Sequence, residues 1–210
     1  MVLYLFLITL ISVIHQTGAY QVDPTPPRQR RRQIAPPFPD GPCGGKVITI
    51  PPQDTFGIDV KLSNINIGGD LILPPRSIKV WVPPKYKESE GKHPVLYVHD
   101  GQNAIEDASS WTGASWRLTG ALVRLREYGY LKNLPIVVML ESAEGDILPG
   151  IRRRHLEYGD TNVLFAQAHA DFVANTVKPL IDSQFRTNPK ESYAIGSSMG
   201  GNGELVLNRL

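Results

Sequence analysis

"YAIGSSMGGNGE", Tyr193 to Glu204, runs from an apolar, strand-like stretch into a glycine-rich turn and then into the helix-like segment "GELVLNRL". Gly196, Ser198 and Gly200 stand in G-x-S-x-G spacing. A strand-turn-helix of this kind is so sharp that side chains at the flanking glycines would clash, and it leaves the serine oxygen exposed at the C-terminal edge of a sheet. The following helix aims its free N–H groups and the positive end of its dipole at the same place. The pattern predicts Ser198 as a nucleophile and the Met199 amide as one donor to a developing oxyanion. The alternative is a glycine-rich turn whose serine merely caps the helix.

Upstream of this turn, "PVLYVHD" (Pro94 to Asp100) and "LPIVVML" (Leu134 to Leu140) are dense apolar runs bounded by turn signals. Such runs suit parallel strands covered on both faces. "KVITI" and "FGIDVKLSNINI" alternate apolar and polar residues, as half-buried antiparallel strands do, and "SIKVWVPP" is a strand stopped by Pro83 and Pro84. Leu118, Leu122 and Leu125 recur at helical spacing within Trp116–Tyr128. A second helix is predicted over Val163–Ser183, with Phe165, Ala168, Phe172, Val173 and Val177 inward. Pro179 should kink it or end it early. The order from residue 94 onward means stacked βαβ units preceded by antiparallel edge strands, an α/β fold.

An oxyanion hole needs a second N–H, which this kind of fold takes from the loop after an earlier central strand. That loop is "HDGQN", His99 to Asn103. Gly101 is expected to provide the sharp turn that points the Gln102 amide into the site.

These motifs are similar to those of the esterase family of α/β hydrolases that includes enterochelin esterase, esterase D and the bacterial mycolyltransferases. "RSIKVWVPPKY" (Arg76 to Tyr86), "HPVLYVHDGQN" (His93 to Asn103), "SW" (Ser115-Trp116), "RHLEY" (Arg154 to Tyr158), "VKPLIDSQFRT" (Val177 to Thr187) and "GSSMGG" occur in order. The resemblance spans about residues 70–210. It implies an α/β-hydrolase fold with a mostly parallel central sheet and antiparallel N-terminal strands, incomplete at the C-terminus. It also implies Ser198 as nucleophile, Gln102 and Met199 as oxyanion amides, and Asp100 and Gly101 in the cleft. Arg154 and Glu157 match an R-x-x-E-Y loop that lines or braces the cleft; a surface salt bridge is the alternative for that pair. Trp116 is expected to be a core residue, with a place in the floor of the substrate pocket as the alternative.

A serine nucleophile needs a histidine base and a carboxylate, which follow the serine in this fold. After Ser198 the sequence has Glu204, six residues on, and no histidine. Upstream, His15 lies in the leader, His93 is expected to be exposed, and His169 lies within the second helix. His155 falls in the R-x-x-E-Y loop and could approach the cleft, and His99 is expected to be a polar support for the oxyanion loop; the alternative is that one of these two acts as the base. The expectation is an N-terminal portion of a longer enzyme, with one sheet edge open and no activity as it stands.

The 210 residues are 41% hydrophobic and 20% charged, which suits a globular chain, and the net charge of +2 gives no case for nucleic-acid binding. Residues 1–19 carry an apolar run, Leu3 to Ile14, followed by "TGAY", and read as a secretory signal peptide cleaved after Ala19. Residues 20–43 read as a Pro/Arg-rich linker, in which "RQRR" (Arg28 to Arg31) fits either a convertase processing site or a solvated basic spacer. Residues 44–210 form the esterase-like part. The single cysteine, Cys43, fits an intermolecular pair, a free thiol, or a partner outside the sequence, and no zinc-site pattern is present. The expected protein is a secreted serine esterase acting on a small-molecule or carbohydrate ester, or on a thioester. It would need no metal or organic cofactor and keep no membrane span once its signal is removed. The alternative is a secreted, non-catalytic binding or scaffold protein on the same fold.

Overall fold

Five strands form one mixed sheet in the order β1-β2-β4-β3-β7. They are β1 (Lys46–Gln53), β2 (Arg76–Val82), β3 (His93–His99), β4 (Ile136–Leu140) and β7 (Thr187–Ile195). The computed structural model describes residues 38–53, 76–142, 145–148, 151–159 and 164–201. The expected signal peptide, the "RQRR" stretch, "FGIDVKLSNINI" and "GELVLNRL" lie outside the described residues, as does all of the expected linker before residue 38.

The first two strands pair antiparallel with each other, and β2 pairs antiparallel with β4. The centre is parallel: β3 pairs with β4 on one side and β7 on the other. This is the α/β-hydrolase arrangement the sequence predicts, with antiparallel strands leading into a parallel centre. Among the described strands β7 has a single partner.

Strand periodicity decides what covers each face. Ile78, Val80, Val82, Val95, Tyr97, Ile136, Val138 and Leu140 alternate along β2, β3 and β4 and pack against Phe172, Val173, Val177 and Ile181. Each fully buried Val, Ile or Phe side chain contributes roughly 1.5–3 kcal/mol. Those four partners come from one helical run: α3 (Leu164–Phe172), a π-helical turn (Val173–Val177) and α4 (Lys178–Gln184). Pro179 therefore does not end the helix. The wide turn just before it accommodates the missing N–H and the ring, which would clash with a regular preceding turn.

The alternate residues Trp81, Leu96, Val98, Val137 and Met139 are also buried, on the opposite face. There the Trp81 indole N–H donates to the Pro42 carbonyl at 2.8 Å. Helix α1 (Leu118–Glu127) buries Leu118 and Leu122. Phe38–Cys43, assigned by sequence to the end of the linker, docks here instead. Arg117 donates to the Phe38 carbonyl and Thr119 to that of Gly41, at 2.8 and 2.6 Å. The Gly41 N–H donates to Ile105 O at 3.1 Å.

A two-stranded hairpin, β5 (Asp146–Leu148) with β6 (Ile151–Arg152), leads into the short helix α2 (Arg153–Glu157). The register sets His99 beside Leu140, and Val98 beside Ile195. The C-terminal ends of β3, β4 and β7 thus finish together, where open α/β sheets place their ligands.

Candidate active site

Beyond Ile195 the backbone folds back on itself. Ser198 is exposed and left-handed, with φ 57°. A non-glycine residue held there carries roughly 1–3 kcal/mol of strain. The Gly200 and Gly201 N–H groups donate to Ser197 O and Ser198 O, both at 3.0 Å, and residues 199–201 are helical. A Cβ on Gly196 would fall 2.2 Å from the Gly200 carbonyl carbon, and one on Gly200 would fall 2.9 Å from Asp100 Oδ2. Gly196 is therefore required by backbone approach, while Gly200 is favoured by close approach to the Asp100 side chain. Met199 opens the helical turn, where N–H groups lack intrahelical acceptors.

The second loop begins at Asp100, which follows β3. The sequence assigned the sharp turn to Gly101, but the left-handed residue is Asp100, at φ 55°. Gly101 is required for a different reason: a Cβ there would sit 2.6 Å from Leu140 N, on β4. A 3-10 turn follows over Gly101–Asn103, with the Asn103 N–H donating to Asp100 O at 2.9 Å. The Gln102 side chain donates to Ser142 Oγ at 2.9 Å and accepts from the Ser142 N–H at 3.2 Å, tying this loop to the end of β4. Ser109 Oγ donates to Gln102 O at 2.7 Å.

Arg154 joins the two loops. Its Nε and Nη2 donate to Asp100 Oδ1 and Oδ2, both at 2.6 Å, and its Nη1 reaches Met199 Sδ at 3.5 Å. Bonding to Asp100 holds the Arg154 guanidinium above its ordinary value. Arg154 does not pair with Glu157, so the surface salt bridge is excluded. Glu157 is fully buried and bonds the buried Arg76, whose Nη1 also donates to Glu141 O at 3.2 Å. Burial lowers Arg76 to about 10, which leaves it charged at neutral pH. Glu157 therefore braces the α2 helix from within and is not part of the cleft wall.

A cleft of about 570 Å³ lies beside these loops, lined by residues including Asp100, Gln102, Ser142, Trp111, Arg152 and Arg154. That volume is in the range of small-molecule sites. Trp111 is an exposed aromatic, with the Arg152 guanidinium 5.9 Å from its ring centre. Sequence reading missed it, since no periodicity marks a loop tryptophan; Trp116, expected in the core, is only half-buried. Ser198 is not in the cleft lining. The turn carrying it borders the cleft through Arg154 at Met199 and Asp100 at Gly200.

No described histidine is hydrogen-bonded to Ser198. His99 is fully buried, its Nδ1 3.2 Å from Nε2 of the buried His169. Burial lowers His99 to about 4 and His169 well below its usual value. His155 is exposed. His93, expected to be exposed, is buried at the far end of β3, with Nδ1 3.0 Å from Leu134 O. Its place at the start of the strand sets it roughly 20 Å from the end that carries the loops.

Among the described residues no cluster of three or more His, Cys, Asp or Glu could hold a metal ion, and no helix is long and apolar enough to cross a membrane.

The chain is similar to a ferulic acid esterase at 20% identity over 76% of this chain and 53% of that one, with a TM-score of 0.45. It is similar to a ferulic acid esterase from Anaeromyces mucronatus at 18% identity over 90% and 60%, with a TM-score of 0.49. An S-formylglutathione hydrolase from Agrobacterium tumefaciens matches at 17% identity over 78% and 52%, with a TM-score of 0.41. The chain spans 52–60% of the length of these structures. No curated protein matches. A family model described as "Putative esterase" matches residues 74–209, well over half of the sequence, and the chain belongs to that family.

Proposed function

We propose that this chain carries the nucleophile and oxyanion loops of a secreted serine ester hydrolase. The observation that carries this reading is the strained, exposed Ser198, held between two closely approached glycines, against the loop that bears Gln102. Ser198 Oγ attacks the ester or thioester carbonyl carbon, and its proton passes to a base. The Gln102 and Met199 amides stabilise the negative oxygen; losing one such donor typically lowers turnover about 10²–10³-fold. The C–O or C–S bond to the leaving group then breaks, and water releases the acyl group from Ser198. Among the described residues no histidine is hydrogen-bonded to Ser198, and the buried His99–His169 pair is occupied with itself, so neither of those two rings is the base. The substrate is a small-molecule or carbohydrate ester, or a thioester.

The 210-residue chain is therefore expected to hydrolyse p-nitrophenyl acetate no faster than its Ser198→Ala variant. A Ser198-dependent rate would show that the base lies within the chain. Treating the product of the complete transcript with a fluorophosphonate, then mapping the label by mass spectrometry, is expected to find it on Ser198. A folded product without label would overturn the hydrolase reading in favour of a binding protein.

A further inference from the structure

Asp100 is the residue on which the oxyanion loop pivots. Its left-handed backbone sets the direction of the Gly101–Asn103 turn, and therefore of the Gln102 amide. Arg154 restrains the Asp100 side chain, but a side-chain contact leaves the backbone free to rotate. The backbone is restrained by Tyr158: the Asp100 N–H donates to the Tyr158 hydroxyl oxygen at 3.1 Å. A buried N–H without an acceptor is rare, so this bond selects the conformation that keeps it.

Tyr158 is itself held on several sides. It is fully buried, and its own N–H donates to Arg154 O at 3.2 Å. The His99 and His169 rings meet its ring nearly edge-on, with centres 5.4 and 5.3 Å away, and lie 5.2 Å from each other. The Arg154 guanidinium sits 5.5 Å from the Tyr158 ring centre. The phenol is thus confined between β3, α3 and α2, with its hydroxyl directed at one backbone amide.

We propose that Tyr158 is a positioning residue for the oxyanion amides, with His99 and His169 as the walls that fix its ring. It touches no substrate; it acts through the Asp100 backbone on the Gln102 amide. The proposal rests on the hydrolase reading for what the amide does, but not for how the amide is held. Tyr97 supplies the control. It is a second buried tyrosine, on β3, and its hydroxyl has no hydrogen-bond partner among the described residues.

The test compares Tyr158→Phe and Tyr97→Phe in the 15N-labelled 210-residue chain. One arm reads amide hydrogen exchange, and the other reads affinity for phenylboronic acid. Boron accepts the Ser198 oxygen, the serine proton goes to solvent, and the tetrahedral anion mimics the oxyanion. In Tyr158→Phe, the Asp100 amide and the Asn103 amide, which donates to Asp100 O, should exchange about tenfold faster. Val137 and Val138 on β4 should keep their protection, showing that the fold persists. Boronate affinity should fall about tenfold, as for a displaced oxyanion donor. Tyr97→Phe should change neither signal at the loop. Unchanged Asp100 exchange in Tyr158→Phe would overturn the proposal, and so would an equal effect from Tyr97→Phe. The hydrolase reading is tested separately by the fluorophosphonate label on Ser198; if the unsubstituted chain fails to bind the boronate, the exchange arm alone upholds or overturns the role of Tyr158.

Discussion

The Asp100 carboxylate and the Arg154 guanidinium meet in a two-pronged pair, both contacts at 2.6 Å, against Gly200 of the serine turn. Asp100 is only 2% exposed, so little water reaches its carboxylate and Arg154 is its ion-pair partner. Arg154→Met should destabilise the fold by about 3–5 kcal/mol, the usual effect of stranding a buried charge. Arg154→Lys should fall between, because an ammonium cannot reproduce the planar fork. The double variant Asp100→Asn/Arg154→Met should recover at least half of the loss, since it leaves no stranded charge. Urea unfolding measures all three. Equal loss in the double and single variants would refute the pairing as the source.

The three glycines of the serine turn should rank by what a methyl group would meet. Gly196→Ala places its Cβ 2.2 Å from Gly200 backbone, which cannot move without opening the turn. It should cost about 3 kcal/mol or more. Gly200→Ala meets the Asp100 carboxylate at 2.9 Å, a side-chain contact with some give. About 1–2 kcal/mol is expected. For Gly201→Ala the nearest atom is Gly196 O at 3.7 Å, and residue 201 is helical. That change should be neutral, or stabilising by roughly 0.5–1 kcal/mol. Unfolding midpoints in any other order would contradict the close approach.

What the sequence made legible was local. The alternation in Arg76–Val82, the dense runs of β3 and β4, and the Gly-x-Ser-x-Gly turn each carry their own periodicity or sterics, and each stands where it was expected. What escaped was long-range. Arg76 meets Glu157 across a separation of 81 residues, and Arg154 meets Asp100 across 54. No spacing rule links such positions, so the sequence left open whether Glu157 lines or braces the cleft, and the structure buries it against Arg76. His93 was misjudged for the same reason: its partner, Leu134 O, lies 41 residues away. The left-handed turn was given to Gly101 because glycine is the usual occupant. Aspartate also tolerates that conformation, and here Tyr158 supplies the acceptor that holds it. At Pro179 the local rule was sound, yet a π-helical turn, invisible to propensity, absorbed the proline.

Tyr97→Phe should stabilise the protein. The hydroxyl is buried without a hydrogen-bond partner among the described residues, and burial raises the phenol above its ordinary value. Removing an unsatisfied buried polar group while keeping the ring removes a desolvation penalty of about 1–3 kcal/mol in full or in part. A gain of about 1 kcal/mol in urea unfolding is expected. A loss of stability would mean that the hydroxyl has a partner, such as a buried water.

The His99–His169 pair should make the fold acid-sensitive between about pH 6.5 and pH 4. Both rings are buried and neutral; burial lowers His99 from 6.5 to about 4, and His169 moves in the same direction. The groups facing them are Tyr158 at 5.3–5.4 Å, Asp100 beside His99, and the positive Arg76, which further disfavours a proton on His169. The sign follows from linkage. In this interval the unfolded chain binds protons that the folded chain refuses, so stability falls as pH falls through 6.5 and levels off below the folded value. For His99 alone the loss amounts to about 3 kcal/mol across the interval, and His169 adds to it. Carboxylates titrate in the same range, so the comparison must be with a variant lacking both imidazoles, His99→Leu/His169→Leu. Thermal unfolding of the two proteins at steps from pH 7.5 to 4.5 should show the unsubstituted chain losing stability more steeply. The gap between the curves should open below pH 6.5. Parallel curves throughout would mean that at least one ring is charged or hydrated in the folded protein, and would remove the neutral pair from the account of the Tyr158 walls.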